Sequence, residues 1–172
     1  RRTRLRRIEW ATLNALSKLQ VEAIRAYTDA RHVEINAELR GDGVGDPRIV
    51  LHIHHLDLAL ESDPVQRTLA VYRGVDAKYA QELERRELAV GDIIEDRAYL
   101  STTPHLSVAR SFMRHGDGGM LLKIAIPAGA KALSISAFSA NPDEDEILIA
   151  RDAKLRVVCY DSDGDILEVE LI

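Results

Sequence analysis

The sequence predicts an α+β fold with an antiparallel-rich sheet. Apolar residues recur at helical spacing through the first third, short apolar runs between turn signals fill the second half, and the two patterns are segregated instead of alternating. Trp10, Leu13, Leu16 and Leu19 are spaced to line one buried face of a helix. Ser17 followed by Gln20 reads as a capping box, which starts a helix just ahead of Val21, Ile24 and Tyr27. Asp29 is expected to cap a short helix through Val33, Ile35 and Leu39, with Gly41 as its stop. The glycine-rich stretch from Gly41 to Pro47 is a loop, and a helical pattern resumes from Ile49 to Leu60 until Asp63-Pro64 ends it. Leu69, Val71 and Tyr72 then open a strand that runs into Arg73-Gly74, and Ala77 to Leu88 is an amphipathic helix. Gly91-Asp92 is a turn, Ala98 to Thr102 a strand, and Pro104 to Arg114 a short helix with Thr103 as N-cap. After a loop from Gly116 to Gly119, strands follow at Met120–Ile126, Lys131–Ile135, Glu146–Ala150, Lys154–Tyr160 and Ile166–Leu171, with a tight hairpin at Asp163-Gly164.

Composition bounds the function classes. At 172 residues the chain suits one domain with a real core, or two very small ones. Hydrophobic residues are 46% and charged residues 30%, which is globular and not disordered. The net charge of -5 argues against general binding to nucleic acid or a membrane surface. A single cysteine, Cys159, excludes an internal disulfide framework, and it is expected in the core of its apolar strand. No apolar run reaches the length of a membrane span, and no secretory signal pattern is present. The chain opens at Arg1 without Met, and its first residues hold Arg1, Arg2, Arg4, Arg6 and Arg7; a fragment of a longer protein is expected, with residues 1–8 as linker. The reading is one domain over 1–172, helical from 9 to 65 and sheet-rich from 66 to 172.

Three polar clusters interrupt the strand pattern. In Val71-Tyr72-Arg73-Gly74, an Arg at a strand end can present a guanidinium to a phosphate; a surface Arg before a turn is the plainer alternative. In Leu100-Ser101-Thr102-Thr103, hydroxyls at a strand end can orient a carboxylate or cap the next helix. Pro142-Asp143-Glu144-Asp145-Glu146 is either a solvated acidic loop or the start of the strand Ile147-Leu148-Ile149. If the strand starts there, Glu144 and Glu146 project to one side by its period of two, and paired carboxylates suit a cationic transition state.

Taken in this order the clusters resemble the Arg–Ser–Glu class of mono-ADP-ribosyltransferases, the bacterial exoenzyme or toxin type. Leu16 to Gly41 is similar to that family's N-terminal helical region, VYRG to its first motif, LSTT to its Ser-Thr-Ser motif with Thr103 in place of Ser, and Met120 to Val158 to its C-terminal half with the Glu-x-Glu motif. The resemblance implies two packed, mainly antiparallel sheets around an NAD cleft, and transfer of ADP-ribose from NAD to a nucleophile with release of nicotinamide. It implies Glu146 as the catalytic glutamate, Glu144 as the group that orients and deprotonates an acceptor, and Ser101 as the group holding Glu146. Thr102 supports the strand edge at the NAD site, Arg73 grips the NAD diphosphate or adenine ribose, and Gly74 allows close approach. Arg114, in SFMRHGDGG, matches the family's phosphate-binding Arg, with Arg110 the alternative one helical turn earlier. Phe138 matches the aromatic of its acceptor-recognition loop, or else tucks into the core.

Glu at the first Glu-x-Glu position favours arginine as acceptor. The implied protein is a secreted or delivered toxin acting as a monomer in a target cell's cytoplasm, on a target protein and with a cognate immunity protein. A nucleic-acid acceptor rests only on the arginine-rich start, and a non-enzymatic NAD-binding module would not need the Arg73, Ser101, Glu144 and Glu146 set. His52, His54 and His55 fall in a predicted helix without an acidic ligand set, so no metal is expected, and Trp10 reads as packing.

Overall fold

A computed structural model of the chain describes residues 15–113, 118–161 and 166–172. Trp10, Leu13, the arginine-rich start, Arg114 and the Asp163-Gly164 turn lie outside these residues. The helical layer begins at α1 (Lys18–Ala26), where Gln20 N–H donates to Ser17 Oγ and Ser17 N–H to Gln20 Oε1, the reciprocal box the sequence predicts. Helix α1 does not stop for a new cap at Asp29. A π-helical turn, Tyr27–Arg31, carries it without a break into α2 (His32–Arg40), so Asp29 lies inside the helix. Gly41 ends α2 in the left-handed conformation, φ 91°, as expected of a glycine stop. Helix α3 (Pro47–Ser62) starts with Asp46 as cap and Pro47 at its first turn. These helices bury Ala23, Ile24, Tyr27, Ile35, Leu56 and Leu60 against one another, whereas Leu19 is half exposed and not on the buried face.

The rest of the chain builds two sheets. The larger runs β1 (Leu69–Val75), β4 (Met120–Ile126), β8 (Ile166–Leu171), β7 (Ala153–Asp161) and β2 (Ile93–Asp96); among the described residues only the β4–β8 pair is parallel. The smaller runs β3 (Leu100–Thr102), β6 (Ile147–Ile149) and β5 (Ala132–Ser134), all antiparallel. Among the described residues, a single bridge between Tyr72 and Thr103 joins the two sheets. Helix α4 (Ala77–Arg85) is three residues shorter than its amphipathic pattern, and α5 (Leu106–Met113) starts two residues after Pro104. Thr103 Oγ1 instead accepts the His105 N–H and closes a local turn ahead of α5.

Strand β6 separates two cores. Ile147 and Ile149 pack with Val71, Ile124, Leu155 and Val169 between the sheets, and Leu148 packs with Ile24, Leu56 and Tyr99 under the helices. Each fully buried Leu or Ile contributes about 1.5–3 kcal/mol. Cys159 departs from the expectation. A β-bulge between Val157 and Cys159 inserts one residue, pairs Cys159 with Glu168, and turns the thiol to the exposed face.

Candidate functional site

A cleft of about 1100 Å³ runs between the helical layer and the sheets, lined from β1, β3, the turn before β6, and the helical segment spanning α1 and α2. Across it, Arg40 at the end of α2 forms a bidentate ion pair with Asp96 at the end of β2, Nη2 to Oδ2 2.9 Å. Asp96 is nearly buried, so this pair holds the two walls at a fixed separation.

Arg73 sits within β1, opposite Leu122 of β4, not at a strand end. Its Nη1 donates to the Ser101 carbonyl at 2.9 Å, which aims the half-buried guanidinium into the cleft beside β3. Gly74 lines the cleft too, but its tightest neighbour is protein: a Cβ there would overlap the carbonyl oxygen of Ala109 on α5. In β3 the alternation of strand side chains decides the roles. Leu100 and Thr102 are buried, Thr102 Oγ1 donating to the Ile147 carbonyl at 2.6 Å, while Ser101 faces the opposite way.

Glu146 is only 7% exposed at the floor of the cleft. Burial raises its pKa above the ordinary carboxylate value; the Ser101 hydrogen bond opposes the rise, the Glu144 charge adds to it, and Arg73 opposes it. Its carbonyl accepts the Ile135 N–H at 3.0 Å, which ties it to the segment after β5. Glu144 shares the cleft, but not by strand alternation. It ends a 3-10 turn (Pro142–Glu144), Asp145 follows at φ 46°, and β6 starts only at Ile147. The turn, not the period of a strand, brings both carboxylates to one cavity.

Sequence reasoning missed several cleft residues, Tyr27 and Asn36 first among them. The Tyr27 hydroxyl lies 3.2 Å from Ser101 Oγ and accepts from Asn36 Nδ2 at 3.3 Å. Burial, the largest influence, raises the Tyr27 pKa, so the phenol stays neutral. Asn36 Oδ1 is buried with no hydrogen-bond partner among the described residues. Tyr27 reads from sequence as an ordinary core aromatic, and at nine residues' separation Asn36 should lie about two and a half helical turns away, on the opposite face. The π-helical turn brings them together, and such turns are frequent at functional sites. Phe112, half exposed on α5, also lines the cleft. Phe138 is half-buried and packs against the helical core, outside the cleft-lining set, and Arg110 is exposed on α5.

The family model described as ADP-ribosyltransferase exoenzyme matches residues 6–168. Exoenzyme T of Pseudomonas aeruginosa is 29% identical over 149 residues, covering 86% of this chain and 30% of its own length. The NAD(+)--arginine ADP-ribosyltransferase EFV of Enterococcus faecalis is 28% identical over 159 residues, 89% of this chain and 31% of its own. The chain thus spans under a third of these relatives. The solved structure of Plx2a, an ADP-ribosyltransferase toxin from Paenibacillus larvae, superposes with a TM-score of 0.74 at 23% identity, covering 91% of this chain and 87% of that one, a likeness of fold.

Proposed function

The chain belongs to the ADP-ribosyltransferase exoenzyme family, and from that premise we propose that it transfers ADP-ribose from NAD to an arginine of a target protein. The observation that carries this reading is the meeting of Arg73, Ser101, Glu144 and Glu146 in one cleft. In the reaction the C1′–N bond to nicotinamide breaks, its electron pair leaves with neutral nicotinamide, and the ribose develops oxocarbenium character. The Glu146 carboxylate stabilises that charge and holds a ribose hydroxyl, and Ser101 fixes its rotamer. An acceptor arginine is protonated in water, so its nitrogen needs a base as it attacks C1′, and Glu144 takes that proton.

Arg73 has five N–H donors, of which the Ser101 carbonyl takes one, so others are available for the diphosphate. Phe112 offers an aromatic face for a planar ring. Thr102 keeps β3 against β6 at the NAD site, Gly74 lets α5 pack close against β1 beside Arg73, and Arg114 completes the proposed set, while Phe138, packed against the helical core, is left out of it. Asp42, Glu82 and Glu95 line the same cleft and disfavour a phosphate-rich nucleic-acid acceptor. In the whole protein, the domain is proposed to act as a delivered effector in a target cell's cytoplasm, with a cognate immunity protein covering the cleft.

Nicotinamide release and transfer to agmatine by the purified chain test the reading together. Glu146→Gln is expected to lower both by about a hundredfold or more, as for loss of a preorganised electrostatic group. Glu144→Gln is expected to keep NAD cleavage and lose transfer. Wild-type protein inert toward NAD, or a Glu144→Gln variant that transfers normally, would remove the corresponding role.

A further inference from the structure

The residue between the two carboxylates is held by a contact that the mechanism above does not use. Asp145 Oδ2 lies 2.7 Å from His105 Nε2. An ionised carboxylate only accepts, so the imidazole nitrogen donates. The β3–β6 ladder explains why a side chain is needed here. Backbone pairing runs from Leu100↔Ile149 to Thr102↔Ile147 and stops. The next residue, Thr103, gives its N–H and carbonyl to Tyr72 of β1 instead, at 2.9 and 2.7 Å. The segment that carries Glu144 and Glu146 therefore leaves β6 without a backbone partner from β3. Two residues on, His105 reaches across the gap, its own position fixed by its N–H to Thr103 Oγ1.

We propose that His105 is a positioning residue that clamps Asp145 and so sets the acceptor-side carboxylate, Glu144, in place for transfer. This rests on the roles assigned to Glu144 and Glu146 above. The two carboxylates are held differently. Glu146 is buried, shares the cleft with Ser101, and is tied through its carbonyl to Ile135. Glu144 lies on a three-residue turn closed by its N–H to the Asn141 carbonyl, and Asp145 is the next residue, in a left-handed conformation that Asp tolerates. Anchoring Asp145 fixes the exit of that turn, and with it the direction of Glu144. The clamp therefore acts on the partition between transfer and hydrolysis more than on NAD cleavage.

The test compares wild type, His105→Ala, His105→Gln, Asp145→Asn and the double variant His105→Ala/Asp145→Asn. Nicotinamide release, transfer to agmatine and KM for NAD are measured on each. His105→Ala is expected to lower the ratio of transfer to NAD cleavage about five-fold, the scale of one partly exposed charge-assisted contact, with KM for NAD unchanged. Asp145→Asn keeps the backbone conformation and loses the charge, so it lowers the ratio in the same direction. The double variant is no worse than His105→Ala, because both changes break one contact. His105→Gln, which retains a donor of similar reach, restores the ratio. An unchanged ratio in His105→Ala, or additive losses in the double variant, overturns the clamp. Wild type that cleaves NAD without transferring overturns the role of Glu144 and the clamp with it, a result separable from an inactive His105→Ala alone.

Discussion

Gly74→Ala separates two accounts of one residue. From sequence, the glycine after Arg73 leaves room for NAD. In the structure the room is already occupied: an added Cβ would overlap the Ala109 carbonyl oxygen and sit 3.1 Å from Met113 Cγ. Methionine can swing aside, but a helix carbonyl moves only with its helix, so α5 must lift from β1. Gly74 is not at positive φ, so backbone strain adds nothing to the cost. Overpacking of this kind costs about 1–3 kcal/mol. For a domain of this size each kcal/mol lowers Tm by roughly 2–4 °C, so the variant is expected to melt about 2–12 °C below wild type. Lifting α5 also shifts Phe112, so the rate of NAD cleavage falls with the stability. Thermal unfolding followed by near-UV circular dichroism, beside KM for NAD, decides the matter. A variant with unchanged Tm and raised KM would refute the packing account and return the glycine to the ligand.

Two further outcomes follow from burial at the floor of the cleft. The Glu146 pKa is higher in the folded than in the unfolded chain, so native protein binds the proton more tightly, and this group's contribution to stability falls as pH rises between those two values. Glu146→Gln is accordingly expected to melt above wild type at pH 7–8, with the gap closing on acidification toward the ordinary carboxylate value; a gap that widens on acidification would contradict the sign. Tyr27→Phe removes the hydroxyl beside Ser101 and the acceptor of Asn36, at about 1–2 kcal/mol for partners left unsatisfied, and is expected to slow NAD cleavage in single-turnover assays; full activity would place the phenol outside the network.

Much of this arrangement was legible. The Ser17–Gln20 box, the Gly41 stop, and the strands Met120–Ile126 and Ile166–Leu171 each follow from a local rule, and the structure keeps them. What escaped has non-local causes. Strand β2 is four residues at a sheet edge with one fully buried side chain, too little pattern to register. Cys159 faces outward because a bulge adds a residue that no composition rule signals. Glu144 and Glu146 lie together as the sequence suggests, but through a 3-10 turn and a left-handed Asp145. Asn36 was invisible because straight helical phase points it away from Tyr27, and only the π-helical turn corrects the phase.

The position of β6 has a consequence for how this protein fails. Glu146 sits at the end of a party wall: one side of β6 belongs to the core between the sheets, the other to the core beneath the helices. Loosening either half moves that wall, and the carboxylate at its end with it. Catalysis is therefore a coincidence detector for two cores, and heat inactivation follows whichever gives way first, ahead of the loss of overall secondary structure.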